Sequence, residues 1–253
     1  MWHAHLARDS RVEQPSGAAP PGTPRARATT EVPTMRRCAI TLTIALAALL
    51  TLSGCHGVRG SGVRKTEKRD LPAFTSIETS GAFEVEVSCQ KPASFEIEAD
   101  DNIVPLIKTE VRGGVLHITT TRNYYSGGGI SLRITVPDLE SVKSTGAGKF
   151  RVSDLKGDNF EVRSTGAAQV VLSGQTKSVK IRSTGAGKID AHNLRANNAE
   201  VDVTGAASVD VYAIDELNVT VSGAGRVTYG GNPKVSKRVS GAGQVNRKQE
   251  GGA

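Results

Sequence analysis

One five-residue pattern constrains this chain more than any other feature. Ser144-Thr145-Gly146-Ala147-Gly148 recurs as Ser164-Thr165-Gly166-Ala167-Ala168, Ser183-Thr184-Gly185-Ala186-Gly187 and Val203-Thr204-Gly205-Ala206-Ala207. It returns as Val221-Ser222-Gly223-Ala224-Gly225 and Val239-Ser240-Gly241-Ala242-Gly243, and a weaker relative stands at Thr79-Ser80-Gly81-Ala82-Phe83. A period of about twenty residues is the signature of a solenoid, in which each unit buries its apolar face only against its neighbours.

Each repeat position has a physical reading. Four residues past the Gly the side chain is always apolar (Phe150, Val170, Ile189, Val209, Val227, Val245), and the residue before it is polar. That alternation is a short strand with one face inward. A second strand precedes each Gly, as in Phe160-Glu161-Val162-Arg163-Ser164 and Val179-Lys180-Ile181-Arg182-Ser183. The Gly suits a corner with positive φ or a close approach of coils. The following Ala is expected to pack inside that corner, and the preceding Thr or Ser column to hydrogen-bond from coil to coil. Lys156–Asn159, Ser173–Thr176, Asn193–Asn198 and Gly230–Pro233 read as variable turns.

The expected fold is therefore all-β, a right-handed single-stranded β-solenoid of roughly twenty-residue coils over 141–246. Successive hairpins could share the two-strand repeat, but in-register positions favour stacking at about 4.8 Å. Residues 71–140 carry strand patterns of another kind, such as Val115-Leu116-His117-Ile118-Thr119, with a brief helical turn near Asn102–Lys108, and are expected to cap the first coil. Aromatics are only 4% of the chain and glycines number 28, which suits a thin repeated cross-section. The polar residues 247–253 read as a disordered tail.

The N-terminal third reads as targeting. Met35-Arg36-Arg37 is a basic start, Cys38–Leu50 an apolar run too short to span a membrane as a helix, and Leu52-Ser53-Gly54-Cys55 resembles the bacterial lipobox. The reading is a signal peptide over 35–54, cleavage between Gly54 and Cys55, and a diacylglyceryl thioether on Cys55. Residues 1–34 have no apolar run and read as an upstream extension, with translation starting at Met35. His56 rather than Asp follows the lipid site, which by resemblance to bacterial sorting patterns favours the outer membrane over the inner. Residues 55–70 read as a flexible basic tether.

The net charge is +7. Residues 1–55 hold six basic and three acidic side chains, so +4 remains beyond them, and four basic residues cluster at Arg64, Lys65, Lys68 and Arg69. With no concentrated basic face and no aromatic platform in the repeats, nucleic-acid binding is not expected. Of the three cysteines, Cys38 would leave with the signal, Cys55 would carry lipid, and Cys89 reads as a small buried apolar residue.

No calcium nonapeptide, His-Glu zinc motif, nucleophile elbow or phosphate loop is present, and no metal or cofactor is expected. The strongest polar constellation is Asp190, His192 and Asp210. The two aspartates share a repeat position, and His192 lies two residues on from Asp190 along a strand. Carbohydrate-active β-helix proteins use clustered acids in this way, although three solvated side chains on an outer face is the simpler account. Tyr124-Tyr125 reads as an exposed aromatic contact or as a loop covering the core edge.

With these residues in view, the chain from Phe74 to Val245 resembles the bacterial family called putative auto-transporter adhesin, head GIN domain. Phe74-Thr75-Ser76-Ile77, Gly114-Val115-Leu116-His117-Ile118, Val136-Pro137-Asp138-Leu139-Glu140 and the iterated Gly-Ala-Gly corners carry the likeness. The resemblance implies an exported β-solenoid, in many members a lipoprotein, and brings no catalytic residues. The functional expectation is a non-catalytic, lipid-anchored envelope module for binding, adhesion or structure. Its partner would be an envelope protein or a glycan, with end-to-end self-association a further possibility. The alternative is a glycan-binding or glycan-active β-helix protein.

Overall fold

The computed structural model describes residues 57–248. Gly54, Cys55 and everything before them lie outside the described residues. What is described is almost entirely β, with one 3-10 turn (Val104–Leu106), and forms a β-solenoid of about five turns.

Three ladders build it. Face A carries the strands before each corner: Ser141–Gly146 pairs in parallel with Glu161–Gly166, and the ladder runs on through Lys180–Gly185, Glu200–Gly205, Asn218–Gly223 and Lys234–Ser240. Face B carries the strands after it, with Lys149, Gln169, Lys188, Ser208, Arg226 and Gln244 in register. The stretches expected as variable turns form face C. There Gly157, Thr176, Ala196 and Ala213 align, with bulges absorbing the differences in length.

The inward columns are the expected ones. On face B, Phe150, Val170, Ile189, Val209 and Val227 are at most 2% exposed. On face A, Val142, Val162, Ile181, Val201 and Val219 fill the facing positions. Each buried aliphatic contributes about 1.5–3 kcal/mol, so many thin layers together hold the coils without a large central cluster.

The corner differs from expectation in two ways. The repeat Gly does have positive φ (128° at Gly146, 116° at Gly166), and the next N–H ties the corner to the coil before it, Ala167 N donating to the Gly146 carbonyl at 2.9 Å. The following Ala, however, points out: Ala147, Ala167, Ala186 and Ala206 are exposed, and the residue after each (Gly148, Ala168, Gly187, Ala207) is the buried one. The left-handed Gly turns the chain so that the second residue beyond it, not the first, faces the core. The Thr column at 145, 165, 184 and 204 is in register but exposed, and no hydrogen bond links its hydroxyls among the described residues. Distance alone does not forbid such a link, since Ser141 Oγ donates to Ser76 Oγ at 2.9 Å on the same ladder; the Thr hydroxyls face solvent instead. The buried hydroxyls are one residue earlier, at Thr79, Ser144, Ser164 and Ser183, and none has a hydrogen-bond partner.

The N-terminal section caps the stack by changing its order. Ser76–Ser80 and Glu84–Ser88 make one coil; the chain then leaves and lays Val115–Thr120 and Ser131–Thr135 on its far side. It returns at Ser141 to continue on the near side, so Ser141 stacks on Ser76 and Lys149 on Glu84. Antiparallel strands close the outer edges: Ile107–Arg112 on face A, then Ser94–Asp100 and Arg64–Lys68 on face B. Ile103 and Val104 are fully buried at the 3-10 turn. The region read as a tether is thus partly sheet, since Arg64–Lys68 pairs with Glu96–Asp100.

The opposite end is open. Lys234–Ser240 and Gln244–Arg247 are the last strands of faces A and B, and no described strand covers them. Lys237 continues the register of buried Val219 but is itself exposed at the open end. A charge at that position of an edge strand opposes edge-to-edge pairing.

Candidate functional site

Asp190 and Asp210 stand opposite each other on adjacent coils of face B, each half-buried. The His192 N–H donates to Asp190 Oδ1 at 3.2 Å, folding the chain around the carboxylate as face B ends. The His192 ring lies edge-on to Tyr212, centroids 5.9 Å apart, and its Nδ1 is buried without a partner. Arg195 sits over the Tyr212 ring at 4.9 Å from its centroid. The geometry therefore gathers all three expected residues along one edge and adds Tyr212 and Arg195. Tyr212 was readable, because it follows Asp210 as His192 follows Asp190. Arg195 was not, because a register shift between Ala191 and Arg195 brings it there.

The chemistry of this edge is limited. Stacked like charges about 4.8 Å apart repel, and no described cation pairs with either aspartate. Arg195 already occupies one face of the Tyr212 ring. Among the described residues no group of three His, Cys, Asp or Glu side chains could hold a metal ion.

A larger concavity lies on the other side of the coil. Face C begins at Leu155–Asn159, which has a ladder partner only on its C-terminal side. Beside that edge runs an open groove of about 750 Å³, bounded by Asp138, Glu140, Lys156, Asp158, Glu161 and Glu200. Most of its charges are already matched. Glu161 accepts from Arg163 and Arg182, both at 2.9 Å, Lys177 meets Asp158 at 2.8 Å, and Lys180 meets Glu200 at 2.5 Å. The Arg163 hydrogen bond, with the nearby Arg182 and Lys180 charges, holds the Glu161 carboxyl below its ordinary pKa.

Such pairing continues along both lateral faces. Glu78 takes Lys143 at 2.6 Å, Glu86 takes Arg151 at 3.0 Å, and Arg133 spans Glu96 and Glu98 at 2.8 and 2.9 Å. Tyr124 donates its hydroxyl to the Ala82 carbonyl at 3.0 Å and packs on the core, which favours the core-edge reading for it, whereas Tyr125 is 60% exposed. Cys89 is a buried free thiol, its pKa pushed up to about 11 by desolvation and the nearby Asp154 and Asp138 charges. No helix among the described residues is long and apolar enough to cross a membrane.

Solved structures share this architecture. A putative adhesin from Bacteroides fragilis is 23% identical, with a TM-score of 0.63 over 76% of this chain and 100% of its own. A putative adhesin from Parabacteroides distasonis is 20% identical, with a TM-score of 0.59 over 76% and 100% of the two chains. Another from Parabacteroides merdae is 19% identical, with a TM-score of 0.53 over 76% and 99%. At these identities the likeness is one of fold. No curated protein matches the chain. Residues 73–233 match a family model, and on that match this chain belongs to the family described as putative auto-transporter adhesin, head GIN domain.

Proposed function

We propose that this protein is a lipid-anchored envelope module that binds a partner rather than transforming a substrate. The observation that carries the reading is membership of the adhesin-head family over 73–233, together with a solenoid on whose lateral faces cations reach acids on neighbouring coils. Solvated ion pairs of this kind keep a surface ordered and polar; they do not gather the shifted acid–base groups that catalysis needs.

The anchor is Cys55. Its lipobox context and the absence of Asp at position 56 support a lipid-bearing mature N-terminus, at the outer membrane in preference to the inner. The described chain starts on the cap, where Val58–Arg59 pairs with Tyr124–Tyr125, so an anchor there would hold the solenoid by its capped end. Translation starts at Met35 in this reading.

Labelled-palmitate incorporation tests it. The label is expected in the wild type and absent in Cys55→Ala, with the wild type in the outer-membrane fraction. A soluble, unlabelled wild type sinks the anchor, and an N-terminal peptide from 1–34 in mature cells sinks the start site.

A second reading has one observation in its favour. Asp190, Asp210 and the unpartnered His192 Nδ1 lie beside Tyr212, a mixture of carboxylate and aromatic that suits a sugar. Depolymerisation or binding of a glycan that disappears in Asp210→Ala would establish it in place of the first.

A further inference from the structure

The terminal coil is electrostatically unlike the others. Residues 141–225 hold ten Lys or Arg and nine Asp or Glu. Residues 226–248 hold six cations (Arg226, Lys234, Lys237, Arg238, Arg247, Lys248) and no acid. None of the six is in an ion pair among the described residues, although cations on the preceding coils reach across to acids on their neighbours. The reason lies in the columns. Asp202 is followed by Thr220 and then Arg238, and Glu200 by Asn218 and Ser236, so of the cations on Lys234–Ser240 only Lys234 has an acid, Glu216, in register on the coil before.

These charges lie on an open ladder. Lys234–Ser240 and Gln244–Arg247 have neighbours on one side only, leaving alternate N–H and C=O groups directed outward. Val239 is 41% exposed at the end of its interior column, and Val235 and Val245 are half-buried. Lys237 stands between them, in register with Val219.

We propose that this end is a docking edge for an extended acidic polypeptide, which adds a strand to Lys234–Ser240 in the manner of β-augmentation. Backbone groups supply the ladder, alternate apolar side chains continue the valine columns, and an Asp or Glu meets Lys237. This rests on reading the chain as a binding module and names the partner class and the surface.

Charge separates this occupant from the others. A second copy offers its cap edges, where Arg64–Lys68 and Ile107–Arg112 together present five cations and two acids, or its own cationic end. Both repel. An anionic lipid surface would satisfy the cations but leave the outward N–H and C=O groups without ladder partners. Ten strands stack along face B from Arg64–Lys68 to Gln244–Arg247, placing the two ends roughly 40 Å apart at ordinary strand spacing. A chain held by its cap therefore presents this end away from its own membrane.

The test uses the full mature chain and a capped, labelled peptide of about ten residues built on Val-Glu-Glu-Glu-Val, whose one face offers Val, Glu and Val to Val235, Lys237 and Val239, followed by fluorescence anisotropy. Binding is expected, weakening with salt and falling roughly tenfold or more in Lys237→Glu and in Arg238→Glu. Arg238 is exposed, so the second variant guards against misfolding; Arg151→Glu, on a lateral face, should bind as wild type. A peptide N-methylated at the alternate residues whose N–H groups face Lys234–Ser240 keeps its charge but loses its ladder donors and should not bind. Equal binding by the N-methylated peptide, or no effect of either end variant, overturns the proposal. So does co-sedimentation with phosphatidylglycerol vesicles that depends on Lys237 while the peptide fails to bind. Palmitate labelling and fractionation are read separately, so failure here leaves the anchored-module reading intact, and failure there leaves the edge intact.

Discussion

A Cβ on Gly185 would fall almost onto the carbonyl oxygen of Gly166 on the preceding coil. The same relation links Gly166 to Gly146 and Gly205 to Gly185, so the corner is a column of contacts that only hydrogen side chains permit. Gly185 also has φ of 128°, which disfavours any other residue. Gly185→Ala is expected to cost about 3 kcal/mol or more, from backbone strain and from prising two coils apart. Ala186→Ser, one residue on and exposed, should change stability by less than about 0.5 kcal/mol. Chemical denaturation of both variants measures the contrast, and equal effects would remove the steric account.

The buried hydroxyl column gives the opposite sign. Ser164 Oγ is buried without a partner, and the same column continues upward as Val203 and Val221, so it needs no hydroxyl to hold its register. Ser164→Ala removes a desolvated polar group and should leave stability unchanged or raise it by about 1 kcal/mol. A loss of more than that in urea denaturation would mean the hydroxyl is satisfied by water bound in the corner.

Lys237 guards the open edge against its own kind. Lys237→Val would complete the interior column above Val219 and remove the charge there. Sedimentation velocity across a range of concentrations should then show association that the wild type lacks. A variant that stays as dispersed as the wild type would assign the protection to some other feature.

Cys89 links burial to pH. Its folded pKa, about 11, lies above that of an exposed thiol, so between about pH 9 and 11 the unfolded chain loses this proton first. Stability is fully present below the unfolded pKa and falls through that window, by an amount on the order of 2 kcal/mol that Cys89→Ala should not lose. Unfolding midpoints at pH 8 and pH 10.5 for the two proteins give the comparison. In the native state at pH 8 the thiol should resist alkylation, and rapid native labelling would contradict its burial.

How far this fold can be read from sequence depends on the range of the interaction involved. Phe150, Val170, Ile189 and Val209 announced the interior of face B because a strand's alternation is local and repeats. Which of Ala147 and Gly148 turns inward was not legible, since both are small and only the left-handed φ of Gly146 decides it. Arg64–Lys68 carries no apolar alternation: it is an outer edge strand whose Lys65 and Glu67 stand in register with the buried Ala99 and Ile97. Face C was hidden by bulges that break its period. For the site, the Asp190–Asp210 juxtaposition followed from the repeat, whereas Arg195 over Tyr212 depends on a bulge and the groove beside Leu155–Asn159 on the chain's return at Asp138–Ser141. Cys55 rests on motif chemistry alone.

The inverted order of the cap has a consequence for how such proteins change length. The coil at Ser76–Ser88 is enclosed on one side by Val115–Thr135 and on the other by Ser141–Ser153, so it belongs to a closed unit that tolerates no insertion of coils. Beyond it, every coil takes its register from the one before and asks nothing of the one after. Duplicating the segment from Gly185 to Gly205 would lengthen the molecule by about one strand spacing and leave both ends chemically as they were. The molecule is in that sense a ruler with one fixed mark, whose reach can drift by whole coils while what it carries at its tip stays the same.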